Sequence, residues 1–365
     1  MKLTKPDYYD RFHCLAGDCP DTCCADWAVV IDDAAMADYQ SLPGALGQQL
    51  RTAIETVDGE PCFGLRPDGH CRLLRDDGLC PIQRALGEAH LCRVCAVYPR
   101  FTTEIGLRRE MGISLSCPEA ARLILTDAAP FTLCHETTVE PMTSHHELSP
   151  ELLCTLERLR DRILTLACDT TRPFGVRCAT IAGLCGAVQA GIDAHRDRQL
   201  PSILEAACGN AQVLPAPAQA GGLAHFREAL TAALAALEPL RPERKALLLR
   251  AAAATPAPQD WQALCPTMPM LWERLLCYGI CKYFPRAAFD RRLWSAAMFA
   301  LLLPLLLRQL VLTQPMRDET AILPLAWSLS RELEHAEENM ALLWAAFSRR
   351  PFRPTAIEAV FLAIS

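Results

Sequence analysis

The chain has 365 residues, 51% of them hydrophobic, and a formal charge of −6 from 36 Lys and Arg against 42 Asp and Glu. So much apolar side chain excludes a disordered chain, and an acidic balance with no Lys/Arg-rich run excludes nucleic-acid binding by phosphate neutralisation. The first residues, MKLTKPDYYDRFHC, carry charge and proline where a leader would be apolar, so the nineteen cysteines are expected to stay reduced in the cytoplasm and to serve metal before disulfides.

Ten of the nineteen cysteines precede Glu119. They fall in turn-rich segments, "CLAGDCPDTCC" (14–24), "GEPCFGLRPDGHC", "DDGLCP" and "CAVYPR", as loops folded around a metal do. Short helices are predicted at Asp33–Gln40 and Ala45–Val57, divided by Pro43-Gly44. Phe101–Cys117 reads as a hairpin about Gly106.

From Ser149 the pattern becomes helical. Ser149 stands at an N-cap with Pro150 at the first helical position, and Leu152, Leu156, Leu159, Ile163 and Leu166 recur at three- and four-residue steps. Further helices are predicted over Phe174–His195, Leu223–Leu240, Glu243–Ala254, Leu271–Phe284, Leu293–Leu312 and Ala326–Phe347, with Pro/Ala/Gly-rich joints at 213–222 and 255–260. The uncharged run Leu293–Leu307 contains Pro304 and falls short of the roughly 20 residues a spanning helix needs, so it reads as a buried core helix and no membrane span is expected. The expected architecture is mainly α: a cysteine-rich, loop-rich metal-binding region over 1–125, then an α-helical domain over 126–365. Cys154, Cys168, Cys178, Cys185 and Cys208 lie among Leu and Ala and read as small hydrophobes, as do Cys277 and Cys281.

A thiolate site gathers sulfurs at about 2.3 Å from a metal. Neighbouring Cys23 and Cys24 diverge in an extended segment, which suits two sites or a multi-iron cluster, or one binding thiol beside one packed inward. Sulfur-dominated surroundings suit zinc and an iron–sulfur cluster alike.

The segments "CLAGDCPDTCCADWAVVIDDAAMADY", "CRLLRDDGLCPIQRALGEAHLCRVCAVYPR" and "ISLSCPEAARLIL" resemble the flagellin lysine N-methylase family over roughly residues 12–124. They also resemble a wider group of zinc- or iron-chelating proteins with a CxxCxxCC-type start and a later Cys-x-x-[Phe/Tyr]-Pro. Cys19, Cys23 and Cys24, then Cys71 and Cys80, then Cys95 with Tyr98-Pro99, carry that pattern, although three residues and not two separate Cys19 from Cys23. The resemblance implies S-adenosylmethionine-dependent methyl transfer to flagellin lysines by a protein with an iron–sulfur cluster, 4Fe-4S in type, with zinc as the alternative metal. The ligand candidates it implies are Cys14, Cys19, Cys23, Cys24, Cys71, Cys80, Cys95 and Cys117. Cys62 and Cys92 fall outside the matched pattern. Eight thiols exceed the four that one cluster takes, so some are structural or there is more than one site.

A lysine amine attacks only when neutral, and its ordinary pKa is about 10.4. Trp27, Tyr98 and Arg100 are the candidates for a substrate or donor pocket, with Trp27 alternatively capping the metal loop. His335 and Asn339, with Glu332 and Glu338 nearby, read as a solvated helix face, and no residue is singled out as the base. No G-x-G-x-x-G follows a predicted strand and no C-x3-C-x2-C is present, so neither common donor site is visible. Two other functions suit the same residues: a zinc-stabilised module that docks a protein without catalysis, and an iron–sulfur redox or metal-delivery protein.

Overall fold

A computed structural model describes residues 1–139, 148–211, 214–254 and 261–365. Val213 of the first predicted joint and the whole of the second, 255–260, lie outside the described residues. The first strand, β1 (Lys2–Pro6), is followed by β2 (Val29–Val30), α1 (Asp33–Ser41), α2 (Gly44–Ala53), β3 (Ile54–Val57) and β4 (Glu60–Phe63). Short α3 (Pro81–Ala85) and α4 (Arg93–Val97) precede the hairpin of β5 (Arg100–Ile105) and β6 (Arg108–Ile113), then α5 (Pro118–Leu125) and β7 (Leu133–Thr137). The rest is helical: α6 (Pro150–Ala167), α7 (Phe174–Asp193), α8 (Leu200–Asn210), α9 (Ala220–Ala235), α10 (Pro242–Ala253), α11 (Trp261–Leu264), α12 (Leu271–Tyr283), α13 (Ala287–Asp290), α14 (Leu293–Leu312), α15 (Glu319–Glu334), α16 (Glu337–Phe347) and α17 (Pro354–Ala363). The fold is mainly α, as the sequence pattern requires.

Among the described residues the strands form two small sheets, β5-β6-β1-β7 and β2-β4-β3. In the first, β1 runs parallel to β6 and antiparallel to β7, so the opening residues are pinned by segments more than 100 residues away. The predicted hairpin is β5–β6, with Gly106 at φ +56° in the turn. In the second sheet, Asp58 (φ +52°) and Gly59 (φ +86°) form the two-residue turn between β3 and β4, the left-handed pair that a type I′ hairpin needs. That turn corrects the expected helix Ala45–Val57: it ends at Ala53, and β-branched Ile54, Thr56 and Val57 pair with β4.

Ser149 caps α6 by accepting from the Leu152 amide at 3.3 Å, with Pro150 in the first turn as expected. α14 is buried at every residue from Leu293 to Val311, Pro304 included. By length and composition α7 and α14 are the two described helices that could span a bilayer; in the fold both are largely buried. Gly279 of α12 lets α12 and α14 cross closely, since a Cβ there would stand 2.8 Å from Ala300 Cα. The predicted helix Ala326–Phe347 is corrected to two, α15 and α16, broken at His335-Ala336.

Apolar side chains gather in two clusters. The larger joins Tyr8, Phe12, Ile113 and α5 to the helices, and the smaller packs Ile31, Tyr39, Leu50, Phe63, Leu73, Ile82 and Cys92 beneath the cysteine loops. Fully buried Arg274 ties the first sheet to the helices by donating to Asp7 (2.8 Å), to the Ile124 carbonyl (2.7 Å) and to the Ala129 carbonyl (3.0 Å). Arg177 and Glu273 form a buried ion pair at 2.6 Å inside the helical core.

Candidate functional site

Each of the nineteen cysteines is a free thiol. Cys14, Cys19, Cys23, Cys24, Cys71, Cys80, Cys95 and Cys117 all line one cavity of about 210 Å³, roofed by the 14–24 loop and floored by the smaller core. Cys92 lines it too, while Cys62 sits on β4 outside it. The signal that would have found Cys92 was its Cys-x-x-Cys spacing with Cys95, which sets both thiols on the first turn of α4.

Within the cavity Cys23 contacts Cys24, and Cys92 contacts Cys95. The Cys24 thiol donates to Cys23 and the Cys95 thiol to Cys92, which lowers Cys23 and Cys92 to about 7 while the donors are raised. Burial raises Cys19, Cys71 and Cys80, and pushes Cys117 up to about 12. Cys23 lies near Cys19, Cys80, Cys95 and Cys117, and Cys24 near Cys71, Cys80 and Cys95, so the adjacent pair sits among the other thiols. Among the described residues, no three His, Cys, Asp or Glu side chains stand in ready coordinating geometry. The chemistry of the donor set nevertheless suits a thiolate-bound metal. Nine soft sulfurs from four separated segments face one space, and in each contacting pair one thiol is close to ionisation at neutral pH.

The loop that carries Cys14 to Cys24 is held by two aspartates, Asp21 within it and Asp26 just after it, that no sequence pattern marks as functional. Asp21 accepts from Arg331 at 2.7 Å and from the Trp327 indole at 3.1 Å, both on α15; Arg331 also donates to the Ser116 carbonyl at 3.0 Å. Asp26, at φ +71°, accepts twice from Arg241 at 2.8 Å and once from Arg244 at 2.9 Å. Burial opposes ionisation of Asp26, but the two guanidiniums prevail and hold its carboxyl below the usual range. The partners are 215 to 310 residues apart in sequence, so no local pattern reveals them.

Trp27, Tyr98 and Arg100 all line the cavity. The Trp27 indole donates to the Cys23 carbonyl at 2.8 Å, and its ring lies 5.4 Å from both Tyr98 and His335, making an aromatic wall. Arg100 stacks over Phe12 at 4.9 Å and donates to its carbonyl. His335 is corrected from the expected solvated face: it ends α15 against Trp27 and Tyr98, and its Nδ1 is buried with no hydrogen-bond partner. Burial, and then the charges of Lys282, Arg331 and Arg244, push its imidazole down to about 3, so it is neutral at physiological pH. Glu332 and Asn339 are buried as well, bonded to the Leu240 amide and to Glu238 backbone respectively.

No family profile matches the chain, and no solved structure matches it. Three curated proteins do. "Lysine-N-methylase" of Salmonella typhimurium is 26% identical over 163 residues, 41% of this chain and 39% of that protein, and the Lysine-N-methylase of Salmonella choleraesuis matches to the same extent. "Flagellar biosynthetic protein FliU" of Salmonella muenchen is 26% identical over 140 residues, 35% of this chain and 79% of that protein. The match thus spans about 39% of the length of the two methylases.

Proposed function

We propose that the protein is a lysine N-methyltransferase that acts on flagellin in the cytoplasm, takes its methyl group from S-adenosylmethionine, and holds an iron–sulfur cluster on the cavity thiols. The observation that carries this reading is the meeting, in one cavity, of nine thiols with an aromatic wall of Trp27 and Tyr98 backed by neutral His335. The similarity to proteins named as lysine methylases and as a flagellar biosynthetic protein supports it.

The cluster residues are drawn from Cys14, Cys19, Cys23, Cys24, Cys71, Cys80, Cys92, Cys95 and Cys117. When bound, an iron–sulfur centre supplies a redox-active thiolate-bound surface and fixes the loops that carry its ligands. The chain's own side chains do the rest. The aromatic wall takes the apolar stem of the substrate lysine, and its low-polarity surroundings favour the neutral amine over the ammonium. When bound, S-adenosylmethionine would supply the methyl group, its carbon–sulfur bond breaking with the electrons left on sulfur as the amine lone pair takes the carbon. Holding the substrate lysine by its stem against the aromatic wall supplies the orientation part of the acceleration.

Neither sheet is a doubly wound parallel sheet, so the donor does not sit in a Rossmann crevice among the described residues. The remaining open space of the cysteine cavity, beside Arg100 at its wall, is where we place it. Protein purified without oxygen, incubated with S-adenosylmethionine and flagellin, should add one or more methyl masses to flagellin by intact-mass spectrometry. Unmodified flagellin with metal-replete protein would overturn the reading. Colourless protein holding zinc and no iron would favour a zinc-stabilised docking module instead.

A further inference from the structure

Two thiols outside the cavity meet where α6 ends against α12. Cys168 is the residue at which α6 stops, and Cys277 lies midway along α12, 109 residues later in the chain; their sulfurs stand 3.8 Å apart. Neither lines the cysteine cavity. A buried ion pair clamps the two helices beside them. Arg177 donates to the carbonyl of Ala167, the residue before Cys168, and pairs at 2.6 Å with Glu273, one turn before Cys277 on α12. Cys277 is fully buried, whereas Cys168 is half-buried and stands just before the exposed residues 170–173.

The contact is also polarised. The Cys277 thiol donates to Cys168, and that bond, with the Phe131 amide and the Arg177 charge, outweighs burial and lowers the Cys168 thiol below its ordinary range. Burial raises Cys277 well above that range, and the same bond adds to the effect. A cysteine that serves as a small hydrophobe needs no such partners: Cys178 and Cys185 are fully buried in the same helical core, and burial raises both.

A reachable, easily ionised thiol touching a buried protonated one is the arrangement of an attacking cysteine and its resolving partner. We propose that Cys168 is an oxidant-reactive thiol and Cys277 its resolving partner, so that a peroxide turns the pair into a disulfide tying α6 to α12. The site is separate from the methylation chemistry proposed above. The Cys168 thiolate bonds to one peroxide oxygen as the O–O bond breaks, and the departing hydroxide takes up the proton that Cys168 released, giving water. The Cys277 sulfur then bonds to the Cys168 sulfur as its S–O bond breaks, and the Cys277 proton leaves with that hydroxide as a second water. The two cysteines lose two electrons and two protons, and one peroxide becomes two waters. A dithiol reductant reverses the bond, so in a reducing compartment it lasts only while oxidant is present.

The test uses the full-length protein, purified without oxygen with its metal content measured, and treated with hydrogen peroxide from equimolar upward. Remaining thiols are alkylated in denaturant and the chain is digested with trypsin. Cys168 falls in peptide 163–177 and Cys277 in peptide 275–282, so their bond joins these two peptides with the loss of two hydrogens. The joined peptides should appear at peroxide doses that leave Cys178 and Cys185 fully alkylated, with fragmentation placing the link on Cys277 and not on neighbouring Cys281, and dithiothreitol should separate them. In Cys277→Ala, dimedone should capture Cys168 as a sulfenic acid; Cys168→Ser should give neither product. Oxidation of Cys168 no sooner than Cys178 and Cys185 overturns the proposal, as does a link from Cys168 to any cysteine other than Cys277. A folded Cys277→Ala protein whose Cys168 takes up no dimedone overturns it too. Because the link is read in the wild-type chain, the answer does not depend on either variant folding.

Discussion

Asp21 is the residue on which the geometry of the cysteine loop should depend most. Its carboxylate is 30% exposed, but Arg331, which it neutralises, is 2% exposed and keeps only its bond to the Ser116 carbonyl when the acid is gone. Breaking a buried pair by removing one partner costs about 3–5 kcal/mol, and water entering through the exposed side of Asp21 draws the value to the lower end. Trp327 loses its acceptor too, and a lost bond to a charged group costs about 1.5–3 kcal/mol, partly the same energy. Asp21→Ala is therefore expected to lower unfolding stability by about 3 kcal/mol, and Asp21→Asn, which keeps an acceptor for Trp327 but no charge for Arg331, by roughly half that. Urea unfolding followed by tryptophan fluorescence measures both. Because the same carboxylate tethers the segment from Cys14 to Cys24, Asp21→Ala should also release metal faster to a chelator than wild-type protein does. A change below about 0.5 kcal/mol with unaltered metal retention would refute the idea that α15 clamps the loop.

Three further predictions concern other parts of the molecule. His335 is neutral when folded, with its pKa depressed to about 3, and titrates near 6.5 when unfolded, so below pH 6.5 the unfolded chain binds the extra proton and stability falls as pH drops toward 3. His335→Phe should flatten that part of the stability–pH curve in chemical denaturation; an unchanged slope would contradict the burial assigned to the ring. Cys92→Ser should lower the metal content of anaerobically purified protein, whereas Cys62→Ser, outside the cavity, should leave it intact; equal losses would contradict the division between them. Gly279→Ala places a methyl group 2.8 Å from Ala300 Cα and should cost about 1–3 kcal/mol by forcing α12 from α14, read as a lowered unfolding midpoint.

Local signals were readable where local chemistry decides the structure. Ser149-Pro150 starts α6 and Gly106 turns the β5–β6 hairpin, because a cap and a tight turn are settled within a few residues. The run Leu293–Leu312 became a buried helix because its apolar residues leave no polar face to expose. Where tertiary partners decide, the sequence was silent. Nothing near Lys2–Pro6 announces its pairing with β6 and β7. The segment Ile54–Val57 continues the helical spacing before it and becomes a strand only because β4 pairs with it across the Asp58-Gly59 turn. The break at His335 has no glycine or proline to mark it; the ring is held by Trp27 and Tyr98, supplied from the far end of the chain. Likewise the cysteine clusters were plain in the sequence, while the anchors Asp21 and Asp26 are identifiable only through Arg331, Arg241 and Arg244.

The most direct test of the account is metal analysis with an electronic spectrum on protein purified without oxygen, repeated on a Cys23→Ser, Cys24→Ser double variant. Bound iron and broad sulfur-to-iron absorption are expected in the wild type, both largely lost when the adjacent pair at the centre of the thiols is removed. Wild-type protein with no metal, or iron that survives the double replacement undiminished, would contradict it.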